Sequence, residues 1–261
     1  MNDRRGFPLF FNRAPRVDGV PGRSAAFSTS TRNRVTPQKS QTSSHSFFPS
    51  LEILSSNVCS IIEERLDRSF FARPALEIAP DLLGKRLVHH TAEGTFSGIV
   101  VETEAYGGTT DPASHAYKGR RTKRNEVMWG PAGHAYIYPI YGIYLCFNVV
   151  GGVDGSPEGV FLRAVKPCDG VDLMARNRGM ILDERNIRRI ANGPSKLCIA
   201  FNITRELNGV DIITGPLYFT SGECIDEVTA SRRIGVDYAG KGAEYPWRFL
   251  IRDSEFVSRP A

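Results

Sequence analysis

The chain has 261 residues, 41% of them hydrophobic, and 33 Lys and Arg against 28 Asp and Glu, so its length permits one large domain or two small ones around a sizeable core. The net charge of +5 is not spread evenly: residues 1–50 hold eight Lys or Arg against two Asp, and residues 51–261 hold 25 against 26. Overall charge is therefore excluded as a nucleic-acid signal for the folded part, where an anion-binding surface has to come from local clustering.

Five scattered cysteines, Cys59, Cys146, Cys168, Cys198 and Cys224, never spaced as C-x-x-C, argue against a disulfide framework, a zinc site or a haem attachment, and for a reducing compartment. No apolar run approaches the length needed to cross a bilayer, so no membrane partner is expected.

Residues 1–50 are rich in Arg, Ser, Thr and Pro and follow neither a helical nor an alternating period. They read as a disordered basic tail, unable to bury enough apolar surface to fold. An Arg- and Ser-rich, acid-poor start also fits an organellar transit peptide, against which Asp3, Asp18 and several Pro and Gly weigh; a start downstream of Met1 is the third reading. All three stay open, and with them the compartment: bacterial cytoplasm, nucleus or organelle. As a tail, the segment would add salt-sensitive, non-specific affinity for any nucleic acid the folded part binds, which deleting residues 1–50 would test through the salt dependence of binding.

Residues 51–66, with Leu51, Leu54, Val58, Ile61, Ile62 and Leu66 near helical spacing, predict a linker helix within 51–69, and the main domain then spans 70–261. Ala75, Ile78, Ala79, Leu82 and Leu83 form a core-facing helical stripe that Gly84 can end, with a break or restart expected at Pro80. Lys85–Thr91 and Thr95–Ala105 predict a hairpin, with His89 and His90 as surface residues near its tip.

The end of that second strand carries the chemistry. Its period of two puts Val100, Glu102, Glu104 and Tyr106 on one face and Ile99, Val101, Thr103 and Ala105 on the other. Two acids and a ring at the end of a β-branched strand point to a cleft where a carboxylate handles protons beside a flat ligand. The plain alternative is a solvated face paired with cross-strand Lys or Arg.

Gly107–Arg124 is a long loop whose basic end, Lys118, Arg120, Arg121, Lys123 and Arg124, suits backbone phosphates. The run from His134 to Val150 alternates on both sides of Pro139, predicting two strands or one bent strand, with Tyr141 held up on the bend. Six of the nine tyrosines lie between positions 106 and 144. Tyr136 and Tyr144 are the candidates for core. In the strand Val160–Val165, Arg163 needs a partner, either a buried acid or a ligand. Residues 169–190 predict a basic helix, and Asn192-Gly193-Pro194-Ser195-Lys196 starts another, where Lys196 and free N–H groups suit an anion. Strands near 217–220, 233–238 and 247–251 complete a sheet.

Taken together, Glu102-Thr103-Glu104-Ala105-Tyr106, Ser114-His115, His134-Ala135-Tyr136-Ile137-Tyr138, Tyr141-Gly142, Asn148, Leu162-Arg163-Ala164, Gly193-Pro194-Ser195-Lys196-Leu197, Arg233 to Ala239 and Pro246-Trp247-Arg248-Phe249 resemble the alkyladenine (3-methyladenine) DNA glycosylase family. The likeness runs from about Phe70 to about Arg252, and several motifs in the right order make it specific.

The resemblance implies a monofunctional glycosylase. It would flip alkylated or deaminated purines (3-methyladenine, 7-methylguanine, hypoxanthine, ethenoadenine) out of duplex DNA and hydrolyse the N-glycosidic bond. It also implies Glu104 as the water-activating residue with Arg163 beside it, Tyr106, His115 and Tyr138 around the flipped base, Asn148 at the pocket floor, and Tyr141 as the wedge that fills the gap. Glu102 matches no catalytic role and is assigned a structural pairing. No nucleophilic Lys is implied, so an abasic site without strand cleavage is expected. The implied partner is double-stranded DNA with damaged purines, bound by a monomer without cofactor or metal.

A non-catalytic DNA-binding module would use the same tyrosines and basic loop but leaves Glu104 unexplained. A sugar-directed glycoside hydrolase needs two opposed carboxylates, which two acids on one strand face do not supply. A zinc nucleobase deaminase lacks its H-x-E and P-C-x-x-C signatures here. The strand-rich patterns give an α+β class; the resemblance adds a strongly curved, mostly antiparallel sheet, an open barrel or roll packed by helices.

Overall fold

The structure, a computed structural model, describes residues 64–153 and 155–261. The basic tail and most of the expected linker helix lie outside the described residues. What is described of that linker is extended at first: the Leu66 N–H donates to the Phe219 carbonyl at 2.9 Å and Arg65 bridges to Thr220. Two short helices follow. Asp67 caps α1 (Arg68–Phe71) by accepting the Phe70 N–H at 3.2 Å. The second, α2 (Ala75–Asp81), turns Ala75, Ile78 and Ala79 inward. The expected break at Pro80 does not occur. A proline in the last turn withdraws a single N–H, and the Leu82 N–H still reaches Ile78 O at 2.8 Å.

The sheet contains β1 (Arg86–Thr91), β2 (Gly94–Tyr106), β3 (Ala135–Ile140), β4 (Tyr144–Gly151) and β5 (Glu158–Pro167). After α3 (Val171–Asn177) and α4 (Pro194–Ala200) come β6 (Leu217–Thr220), β7 (Val228–Ser231) and β8 (Arg248–Ile251). The strands run β3-β4-β5-β2-β1-β6, every pair antiparallel, with β8 joined to β2 and β7. The sheet curls into a half-barrel packed by a few helices, the expected α+β class. Ile78, Leu82, Phe147, Leu162, Leu197, Phe201 and Phe219 meet in its core. Pro139 lies within β3 opposite Leu145, which costs no ladder bond because β3 is an edge strand.

Two compensating bulges set up the site. Between Val100 and Glu102 the β2 strand gains a residue against β5, and between Glu102 and Thr103 it is β5 that gains Arg163. A bulge shifts the alternation of its strand, so the expected shared face of Val100, Glu102, Glu104 and Tyr106 is corrected. Val100 joins Phe96 in the core, while beyond the bulge Thr103 and Ala105 point that way, with the Thr103 hydroxyl donating to Ala79 O at 2.8 Å. Glu102, Glu104 and Tyr106 are left on the opposite side.

Other expectations also change. His89 is buried, with Nδ1 2.7 Å from Phe201 O, because α4 ends against β1; only His90 is exposed. Tyr144 is 42% exposed, whereas Tyr136 is core. The basic helix expected over 169–190 stops at Asn177, and Arg233–Tyr238 is not a strand, because Arg233 is drawn into a buried ion pair and a 3-10 turn begins at Asp237. Val228–Ser231 forms a strand that the sequence pattern did not suggest.

Candidate active site

The site lies where β2, β4, β5 and the 233–238 segment converge. Glu102 and Glu104 are both fully buried there, so every oxygen needs a protein donor or a reason to lack one. Glu102 is held by four donated hydrogen bonds. Its Oε1 accepts from Arg163 Nε at 2.9 Å, Arg248 Nε at 2.8 Å and the Ser258 hydroxyl at 2.8 Å; its Oε2 accepts the Ser258 N–H at 2.5 Å.

Glu104 is held more lightly. Oε1 accepts the Ile234 N–H at 2.8 Å and lies 3.3 Å from Arg163 Nη1, and Oε2 accepts only the Tyr106 hydroxyl at 2.9 Å. Burial pushes the carboxyl above the usual glutamate range, against the pull of Arg163, the Ile234 N–H and Tyr106, with Glu102 adding to the rise. Arg163, raised by one bulge onto the cleft side, thus bridges both acids with a side chain 8% exposed. The Tyr106 hydroxyl stays a donor, because burial and then Glu104 raise its pKa well above the ordinary phenol value.

Tyr106, His115, Tyr138 and Asn148 line one small cavity of about 40 Å³ together with Tyr136 and Tyr238. His115 meets Tyr138 edge-on, with ring centroids 4.7 Å apart, and its Nδ1 lies 2.9 Å from the Tyr136 hydroxyl. Burial, then Arg124 and Arg120, push the His115 pKa down to about 4, so its ring is neutral near pH 7. The Asn148 amide donates to Tyr136 O at 3.2 Å. A cleft of about 420 Å³ shares Tyr106, His115, Tyr138 and Tyr238 and adds Arg124, Tyr141, Phe161, Arg163 and Ile234. Glu104 itself lies just behind this lining, held by three residues that belong to it.

At the cleft's edge the β3–β4 turn lifts Tyr141 to 89% exposure at a φ of 49°, followed by Gly142 at 76° and an Ile143 that is 77% exposed. The basic loop is pinned from within by Asn125, which accepts from the Thr122 N–H at 2.7 Å and donates to the carbonyls of His115 and Arg120. Lys118, Arg120, Arg121, Lys123 and Arg124 are all exposed. Arg124 lies over the Tyr138 ring, while Arg121 is tied to Glu126. Lys196 is not brought to the cleft: its Nζ bonds Asn192 Oδ1 at 2.8 Å, and only its neighbour Pro194 lines the cleft.

Several contributors had no assigned role in the sequence. Ile234 acts through its backbone and Ser258 lies in a plain tail, so neither has a residue-type signal. Tyr238 sat in a recognised motif without a role. The Arg233–Asp111 pair, fully buried and bidentate, fixes the segment that presents the Ile234 N–H.

Comparison with known proteins puts the chain among the DNA glycosylases, N-glycosylases of base excision repair. A family model described as Methylpurine-DNA glycosylase (MPG) matches residues 69–255. A protein of Clostridium acetobutylicum named "Putative 3-methyladenine DNA glycosylase" is 44% identical over 199 residues, 74% of this chain and 97% of its own length. Relatives of the same name from Desulfitobacterium hafniense and Methanocella arvoryzae are 45% and 48% identical, over 75% of this chain and 98% and 96% of their own lengths. The chain belongs to the methylpurine-DNA glycosylase family. Among the described residues no helix is long and apolar enough to cross a membrane.

Proposed function

We propose that this protein binds duplex DNA as a monomer in a DNA-containing compartment, rotates a damaged purine into the aromatic cavity and hydrolyses its N-glycosidic bond, with Glu104 activating water. The observation that carries this is the contrast between the two buried acids. Glu102 accepts four hydrogen bonds, three of them on Oε1, whereas Glu104 accepts two, its Oε2 taking only the Tyr106 hydroxyl, and has a raised proton affinity suited to a general base. Water would attack the sugar C1′ as Glu104 takes its proton, and the base would leave with the electrons of the C1′–N bond. The ionised carboxylate and the Arg163 beside it would steady the developing charges.

Three electron-rich or neutral rings suit purines made cationic by alkylation, such as 3-methyladenine and 7-methylguanine. Hypoxanthine and ethenoadenine are bound as neutral bases, gain less from these rings, and would leave as anions unless a proton reaches the departing base. Asn148 at the floor would disfavour the exocyclic amino group of guanine. Tyr141 would wedge into the vacated stack, and Lys118, Arg120, Arg121, Lys123 and Arg124 would meet phosphates, with Lys196 as a weaker candidate. No step calls for a cofactor, a metal or a lyase lysine.

The test is single-turnover base release from duplexes carrying one 7-methylguanine or one hypoxanthine, comparing wild type with Glu104→Gln. Release by wild type and its loss in the variant is the expected result. Tight binding without release by wild type would make the protein a damage-binding module instead.

A further inference from the structure

Arg163 links the two buried acids, so whatever aims its guanidinium also sets the field at Glu104. Nε is fixed by Glu102 at 2.9 Å and Nη1 reaches Glu104 at 3.3 Å, while Nη2 donates to the Ser258 hydroxyl at 3.3 Å. That hydroxyl in turn donates to Glu102 Oε1, and the Ser258 N–H takes Oε2. The chain around Ser258 is itself anchored, because Arg248 donates to the carbonyls of Arg259 and Pro260. These contacts come from beyond residue 255, where the family match ends.

We propose that Ser258 is a positioning residue for base excision: its hydroxyl, shared between Glu102 and Arg163, locks the guanidinium so that Nη1 stays against Glu104. This rests on the reading of Glu104 given above. A guanidinium is planar, so fixing Nε and Nη2 leaves Nη1 one direction. Without the hydroxyl, Nη2 has lost its acceptor at a site where Arg163 is almost closed to water, and the plane is free to turn away from Glu104. Arg163 is the strongest influence holding the Glu104 proton affinity down against burial, so turning it away lets that affinity climb.

The experiment uses the full chain as wild type, Ser258→Ala and Ser258→Thr. A carbon-detected NMR titration of the Glu104 carboxyl needs no substrate, and single-turnover release from a 7-methylguanine duplex reads the chemistry. The expected result for Ser258→Ala is a higher Glu104 midpoint and release about tenfold slower on the acid side, with unchanged duplex Kd. Threonine, which keeps both the hydroxyl and the N–H, should restore both. A wild-type midpoint and rate in Ser258→Ala would overturn the proposal. So would slow release with an unmoved midpoint and a lowered Tm that threonine does not recover, since that marks packing alone. A wild type that releases no base overturns the reading of Glu104, and the positioning role with it, even if the midpoint moves.

Discussion

Glu102 and Glu104 lie two residues apart on one side of β2, yet Glu102 accepts four hydrogen bonds and Glu104 two. Adjacent acids in one strand are thereby separated into a structural anchor and a group with capacity to spare, and the difference is measurable.

Removing the anchor should be costly. Glu102→Ala leaves Arg163 and Arg248 buried without their shared acceptor, and breaking a buried pair from one side costs about 3–5 kcal/mol. Glu104→Gln should behave differently. Its folded pKa is raised, so its contribution is fully present below the unfolded value and lost as pH rises through the folded one; at pH 7 the ionised group opposes folding. Denaturant unfolding at pH 7 should show a large loss for Glu102→Ala and none for Glu104→Gln. Equal losses would erase the distinction.

The same shift sets a pH limb. If ionised Glu104 activates water, single-turnover release rises with pH through a midpoint above the ordinary glutamate value of 4.5, as burial of the carboxyl dictates. A rate–pH profile with its acid limb at or below that value would remove Glu104 as the base.

His115 offers a check on the cavity. With its pKa pushed down to about 4 from the ordinary 6.5, the folded protein resists its protonation, so this stabilising contribution is present above 6.5 and fades as pH falls toward 4. An NMR titration of wild type should find one imidazole titrating near 4, and the slope of stability between pH 6.5 and 4 should shrink in His115→Phe. A His115 midpoint near 6.5 would mean the cavity is open to water.

Tyr141 separates binding from folding. Its ring is 89% exposed, so Tyr141→Ala should change stability by no more than about 0.5 kcal/mol. Base release from duplex should slow markedly, with a much smaller effect on single-stranded substrate, where no stacked gap has to be filled. Equal slowing on both substrates would argue against a wedge.

Residue patterns alone foretell the strands that alternate or run apolar, from the first hairpin to the strand carrying Arg163, along with the exposed turn at Tyr141 and the cluster of rings and acids at 102–148. These are local signals: period two, turn residues, and a charged residue inside an apolar run that demands a partner. The resemblance assigned Glu102 a structural pairing, but the partners that make it an anchor, Arg163, Arg248 and Ser258, come only with the tertiary structure. Two compensating bulges re-phase β2 and β5, and a bulge leaves no mark on residue types until the partner strand is in place. Likewise the Ile234 N–H and the Ser258 hydroxyl reach the two acids across 130 and 156 residues of chain. A backbone donor or a lone serine carries no pattern of its own; its partner exists only once the half-barrel has closed around Glu102 and Glu104 and shut out the water that would otherwise serve them.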